Sequence, residues 1–137
     1  MSDLSSGSIK IAADRYEGSD LSRSQKKMLE LAIRVAEGST YVDGSKRHGA
    51  VITRGGSVIS VGMNKMRNIN GVPPTLKYDP NVSVHAEIDA LSRVADARGA
   101  VIYIARISKS GTANSRPCNA CSEALRAAGV KRVIYTV

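Results

Sequence analysis

Two short clusters in this chain bring together residue types able to do metal chemistry. His85-Ala86-Glu87 is the first and Pro117-Cys118-Asn119-Ala120-Cys121 the second. Residues three apart share one face of a helix, so the thiols of Cys118 and Cys121 can reach a single ion. His85 supplies a third ligand of the kind zinc takes. Three protein ligands leave the fourth tetrahedral position to water, the pattern of a catalytic rather than a structural zinc site. Glu87 follows the histidine by two residues and can face that water without ligating the metal, placing a proton acceptor and donor beside it. A helix N-terminus at Cys118 would also favour the thiolate form.

The alternatives to a catalytic metal are specific. A Cys-x-x-Cys pair alone serves as a structural clip or a redox couple, and a lone histidine as a capping or surface residue. Glu87 alone would merely complement a helix dipole. The three occurring together favour the metal centre, with one Zn²⁺ per chain. The Ala86 amide, at the same helix start, can stabilise negative charge developing on a reacting oxygen.

The elements that must position these residues follow from the pattern of apolar residues. Residues 1–20 are polar and Ser-rich, with one apolar patch at Ile9 to Ala13, suited to a mobile arm or a short edge strand. Asp20 or Ser22 caps a first helix, whose apolar face carries Met28, Leu29, Ala32, Ile33, Val35 and Ala36 and which stops at Gly38. A polar linker runs from Ser39 to Lys46. The runs Ala50-Val51-Ile52 and Val58-Ile59-Ser60-Val61, joined by Arg54-Gly55-Gly56-Ser57, predict a β-hairpin ending near Gly62-Met63-Asn64.

From Lys65 to Ser83 there is no periodicity, and Pro73, Pro74 and Pro80 forbid a regular helix. That segment is expected to face substrate, with Tyr78 available to stack on a base. Ser83 caps a second helix with Ile88, Leu91, Val94 and Ala95 on one face, ended by Gly99. A strand over Val101 to Ile104, a polar loop over Ser108 to Ser115, a third helix with Pro117 in its first turn, and a last strand over Val133 to Val137 complete the chain. Strands connected through helices imply parallel pairing with right-handed crossovers, so helices cover both faces of the sheet. Helices that follow neighbouring parallel strands begin at one sheet edge, which brings His85, Glu87, Cys118 and Cys121 together.

Composition bounds the rest. The chain has 137 residues, enough for one domain, and two cysteines, too few for a disulfide framework. No apolar run approaches the ~18 residues of a membrane span, and Met1 to Ser8 lacks the features of a secretion signal, so the expected location is the cytoplasm and no membrane partner is expected. Net charge is +8, which favours anionic partners without choosing between a nucleotide and a nucleic-acid strand. Five Tyr with neither Phe nor Trp leave little for a strand to stack on. His48, just before a predicted strand, suits either a hydrogen-bonded structural role or substrate contact. Arg116, adjoining Pro117, suits phosphate binding or plain solvent exposure, and the loop residues Lys65, Arg67 and Lys77 are the other candidates for a substrate phosphate by position.

The pattern His85-x-Glu87 with Pro117-Cys118-x-x-Cys121 is the signature of zinc-dependent nucleobase deaminases, and the chain resembles the cytidine/deoxycytidylate deaminase superfamily. Gly49-Ala50-Val51 looks like the family's first strand. Gly62-Met63-Asn64 looks like the end of its second, where an asparagine contacts the nucleoside, and Gly129-Val130-Lys131-Arg132-Val133 resembles the strand after its third helix. The resemblance implies a three-layer α/β/α fold with a mixed sheet of four to five strands, residues 1–20 as an arm and residues 21–137 as the deaminase domain. It implies His85, Cys118 and Cys121 as metal ligands, Glu87 as catalytic, and Asn64, Ala86, His48 and Arg116 as substrate-binding.

The activity implied is hydrolytic deamination of a cytosine nucleotide, dCMP or CMP, to the uracil product and ammonia. Action on a base within single-stranded DNA or RNA is the alternative, and a zinc-stabilised binding module without catalysis is a third. The chain departs from the family in two places. Family members continue to a further helix and a fifth strand, and Asp89 stands where deoxycytidylate deaminases carry asparagine. A final aliphatic strand with a bare edge calls for cover, from the Ile9-Lys10-Ile11 segment or from another subunit, and a homo-oligomer is expected.

Overall fold

The computed structural model of the chain describes residues 11–14, 21–41, 44–66 and 83–137. The elements that hold the site are the strands β1 (Ile11–Asp14), β2 (Arg47–Arg54), β3 (Ser57–Met63), β4 (Lys65–Met66), β5 (Ser83–Val84), β6 (Val101–Ser108), β7 (Gly111–Ala113) and β8 (Arg132–Thr136), and the helices α1 (Arg23–Glu37), α2 (Ala86–Leu91) and α3 (Asn119–Ala127).

The main sheet runs β1-β8-β6-β2-β3, with β7 folded back on β6. β6 and β8 are parallel, whereas β2 is antiparallel to both β3 and β6. The sheet is therefore mixed. Residues alternate along its central strands, as the pleat requires. Val51, Tyr103 and Ala105 join Leu29, Ala32, Ile33 and Ala36 of α1 in one core. Ala50, Ile52, Ile102 and Ile104 join Ala86 and Ala90 of α2 and Leu125 of α3 in the other. Helices thus cover both faces, in three layers.

Local chemistry explains the element ends. Ser22 accepts from the Gln25 amide while Gln25 reaches back to the Ser22 amide, a reciprocal capping box that starts α1. Gly55 and Gly56, with φ of 61° and 83°, make the tight turn between β2 and β3.

Several boundaries differ from the sequence expectation. α2 begins one residue after His85, which is its N-cap, and Ser83 lies instead in β5. α2 also stops at Leu91: the Ser92 hydroxyl takes the Asp89 carbonyl at 2.7 Å, and the Arg93 amide bonds Ala90 three residues back. Its buried face is Ala86, Glu87, Asp89 and Ala90, while Ile88 is exposed. Gly62 is the reason, for a β-carbon there would meet the Ala86 carbonyl oxygen at 2.6 Å and the Ala90 backbone closer still. Only small residues let the helix sit so low on the sheet.

Pro117 precedes the N-cap of α3, Cys118, rather than entering the first turn. The predicted strand at Val101 extends to Ser108, and the polar loop after it contains β7. On the main path of the sheet, the strands that precede α2 and α3 are β3 and β6, which are not neighbours, since β2 lies between them. Those two strands still point the same way and end at one sheet edge. The edge of β8 is taken by β1, antiparallel, with Ile11 opposite Thr136. The segment from 67 to 82, with Arg67, Lys77 and Tyr78, lies outside the described residues, as do residues 1–10. No described helix is long and apolar enough to cross a membrane.

Candidate active site

His85 and Cys118 are the N-caps of α2 and α3, and Cys121 lies in the first turn of α3. The His85 Nδ1 lies 3.8 Å from the Cys118 Sγ and 3.3 Å from the Cys121 Sγ. All three ligand atoms fall within 4.8 Å of one another. A tetrahedral zinc with bonds of about 2.3 Å to sulfur and about 2.0 Å to nitrogen has ligand atoms about 3.5–3.8 Å apart. The three side chains fit such an ion with little rearrangement.

The Cys121 thiol is not activated as the helix end alone suggested. Cys121 is 2% exposed, and burial pushes its thiol far up, aided by the neighbouring Glu87 carboxylate and by Cys118. Desolvation outweighs the helix N-terminus here. The ion itself must draw the proton off, so metal binding and thiol ionisation are one event.

Glu87 interacts with His85 and Cys121 and is 4% exposed. Burial pushes its carboxyl up, and its own amide, His85 and Cys121 pull only partly against this. A buried carboxyl of raised proton affinity beside a metal site is the setting of a general acid–base.

A cleft of about 240 Å³ opens over these groups. The residues singled out from the sequence, His48, Asn64, His85, Ala86, Glu87, Arg116 and Cys118, all line it, and Cys121 lies buried behind. Asn64 is the most tightly held. Its Oδ1 accepts from the His48 amide at 2.8 Å and from the Ser39 hydroxyl at 2.8 Å, and its Nδ2 donates to the Lys46 carbonyl at 2.7 Å. One Nδ2 hydrogen remains for another acceptor. The His48 Nδ1 sits 3.0 Å from the Lys46 carbonyl. Burial holds this imidazole below its usual value, against the pull of that carbonyl, and Arg106 and His85 add to the effect.

Three further lining residues, Tyr41, Lys46 and Ser115, escaped the sequence reading. Tyr41 and Lys46 fell in what the sequence marks only as a polar linker. The sole signal for Lys46 was its place one residue before β2.

Asp89, the departure noted in the sequence, faces the end of β3 instead of lining the cleft. Its carboxylate meets Lys65 Nζ at 2.9 Å, Arg93 Nη1 at 3.0 Å and the Met63 amide at 3.1 Å. Burial raises its proton affinity, but these three donors outweigh it and hold the carboxyl below the ordinary aspartate value.

A family model for the cytidine and deoxycytidylate deaminase zinc-binding region matches residues 22–137. The chain belongs to that family. Among solved structures, this deaminase-family chain is similar to the dCMP deaminase of cyanophage S-TIM5. In its apo form the identity is 21%, with 81% of each chain covered and a TM-score of 0.57. In its complex with dCMP and dUMP the identity is 20%, covering 82% of this chain and 80% of that one, with a TM-score of 0.60. Acinetobacter baumannii RibD shares the fold at 23% identity and a TM-score of 0.50, over 80% of this chain but 26% of its own. The deaminase fold therefore recurs in differently named proteins, and the fold alone does not choose the substrate. No curated protein matches closely enough to count as a relative.

Proposed function

We propose that this chain is a zinc-dependent hydrolytic deaminase of a cytosine nucleotide, dCMP or CMP, yielding the uracil nucleotide and ammonia, and that it acts as a homo-oligomer. The observation that carries the reading is the buried Glu87 carboxyl that interacts with His85 and Cys121 of the metal-ligand cluster and lines the same cleft. A purely structural metal site needs no such carboxyl. Zinc held by His85, Cys118 and Cys121 would supply a Lewis acid that makes water a nucleophile near neutral pH.

The chain's own groups do the rest. Glu87 takes a proton from the attacking water and delivers it to N3 of the cytosine ring as the C4–O bond forms. It then takes the remaining proton from the new C4 hydroxyl and passes it to the exocyclic nitrogen, the C4–N4 bond breaks, the C4 carbonyl of uracil forms, and ammonia departs. Water enters, ammonia leaves, and no redox partner is needed. The Ala86 amide, among the first of α2, suits the oxygen that gains charge. Asn64 offers its remaining N–H and His48 a ring nitrogen to the rest of the substrate.

The nucleotide is favoured over a strand by the cleft lining. Lys46 and Arg116 supply cationic groups for a phosphate, whereas Tyr41 is the one aromatic residue among the described lining. An ammonia-release assay on the zinc-loaded protein tests this directly, run with nucleosides, nucleotides and a mixed-sequence single strand. Turnover of dCMP or CMP is expected. Turnover of the strand alone would transfer the assignment to the polynucleotide reading.

A further inference from the structure

We infer that Ser115 is a positioning residue of the metal site, its hydroxyl wedged into the end of the β6–β8 ladder so that the segment carrying Cys118 is held over the cleft. The inference rests on Cys118 being a metal ligand and adds how that ligand is presented.

β6 and β8 pair in parallel with Ile104 opposite Tyr135. In that register the next ladder bond runs from the Thr136 N–H to the Ile104 carbonyl. The Ser115 Oγ bridges those two groups. It accepts from the Thr136 amide at 2.9 Å and lies 2.9 Å from the Ile104 carbonyl oxygen, to which it donates. The Ser115 amide donates to the Thr136 carbonyl at 2.8 Å. The Thr136 hydroxyl, 2.9 Å from the Ser115 Oγ, donates to the Ala113 carbonyl at 2.6 Å and accepts from the Arg106 amide at 3.2 Å. One pair of hydroxyls thus ties residues 113 and 115 to the two strands beneath them.

Both side chains are deeply buried, Ser115 at 2% exposure and Thr136 at 0%. A serine read from sequence as part of a polar loop is thus a core residue. Its hydroxyl is the smallest group that can both accept from one strand and donate to the other. Without it, the Thr136 amide and the Ile104 carbonyl lose the hydroxyl that bridges them.

Little slack separates this anchor from the ligand, because only Arg116 and Pro117 intervene before Cys118. The proline ring fixes its own φ and restricts Arg116 to extended conformations. The Arg116 amide is further held by the Asn114 Oδ1 at 2.8 Å. A shift of the Ser115 anchor therefore passes to the Cys118 sulfur, while His85, the N-cap of α2, stays in place and Cys121 is held by the body of α3.

The test is metal binding, by chelator competition for zinc and by the thiolate-to-metal absorption of the cobalt-loaded protein. Cys118→Ser comes first: it must lose affinity and part of the thiolate band, and if it does not, the ligand reading itself is wrong. With that reading secure, Ser115→Ala is expected to keep its far-ultraviolet circular dichroism, to bind zinc about tenfold more weakly or worse, as when supports of a ligand are removed, and to show a shifted cobalt band. A merely structural serine would lower the denaturation midpoint and leave affinity and band at wild-type values, and that result overturns the inference. Should Ser115→Ala not fold, Thr136→Val carries the same measurement. It removes one half of the hydroxyl pair, and a weakening of about threefold with the same band shift is expected, in proportion to a partial loss of the support. Unchanged metal binding in Thr136→Val would then overturn the inference.

Discussion

The Cys121 Sγ lies 3.3 Å from the His85 Nδ1, although the two residues are 36 apart in sequence and start different helices. That distance is a direct product of topology. α2 and α3 follow strands that end at the same sheet edge, and Gly62 lets α2 sit low enough for its first residues to meet the start of α3. The gap matches the ligand spacing of one tetrahedral ion.

Purified protein is therefore expected to hold one zinc per chain by elemental analysis. His85→Ala and Cys121→Ser should each lower zinc content at least tenfold after dialysis against a mild chelator, since two remaining protein ligands hold zinc poorly. Full zinc occupancy in both variants would mean that the ion is held elsewhere.

Glu87 should separate from the ligands in its behaviour. Glu87→Gln keeps the shape and the hydrogen-bonding capacity but cannot carry the proton. Zinc content and thermal unfolding should stay near wild type, while kcat falls by about 10²–10⁴ or more, the usual worth of a positioned acid–base. Loss of metal in this variant would show Glu87 to be a ligand after all.

The metal cluster was legible in the sequence because His85-x-Glu87 and Cys118-x-x-Cys121 are local spacings, each gathered at the start of one helix. What was not legible depends on distant partners. Ile88, Leu91, Val94 and Ala95 made a convincing apolar stripe, but the close approach at Gly62 selects the small side chains Ala86 and Ala90 for the buried face. Ser115 looked like loop polarity because its role exists only in the β6–β8 register. The cleft position of Lys46 follows from where β2 begins, and the clamp on Asp89 follows from Lys65 and Met63 across a strand end.

That clamp makes a stability prediction. The Asp89 carboxyl sits below its ordinary value in the folded chain, so its ionised form favours folding. The contribution is complete above the ordinary aspartate value and is lost as pH falls through the lower folded-state value. Asp89→Asn keeps an acceptor for the Met63 amide but gives up both cations. It should cost about 2 kcal/mol at neutral pH, a typical value for hydrogen bonds to a charged group. The gap from wild type should narrow as urea titrations move toward about pH 3. A constant gap across that range would remove the carboxylate from the account.

Assembly is expected through an outer strand of the sheet. Among the described residues β1 and β3 are the outer strands, and β3 carries Val58 and Val61 exposed. Light scattering at micromolar concentration should report an oligomer, and Val61→Asp should shift it toward monomer by placing a charge on the edge. A monomeric wild-type chain would refute this expectation.

Substrate size is tested most sharply at the cleft rim. Lys46 and Arg116 line the same cavity as Glu87, so a nucleotide bound with its base over Glu87 can reach them with its phosphate. Arg116→Gln and Lys46→Gln should each raise KM for the monophosphate, by about tenfold for the residue that makes the charge-assisted contact, while KM for the nucleoside stays within about twofold, because only the monophosphate carries the charge. A strand substrate behaves differently, since several phosphates are held at once and each neutralised phosphate contributes about 0.7 to the slope of log affinity against log salt. Activity on dCMP should therefore change little between low and moderate salt, and activity on an oligonucleotide should be low throughout. The opposite pattern, with oligonucleotide turnover falling steeply with salt and neither rim variant altering KM for the mononucleotide, would place the phosphate contacts along a strand path and replace the nucleotide reading with the polynucleotide one.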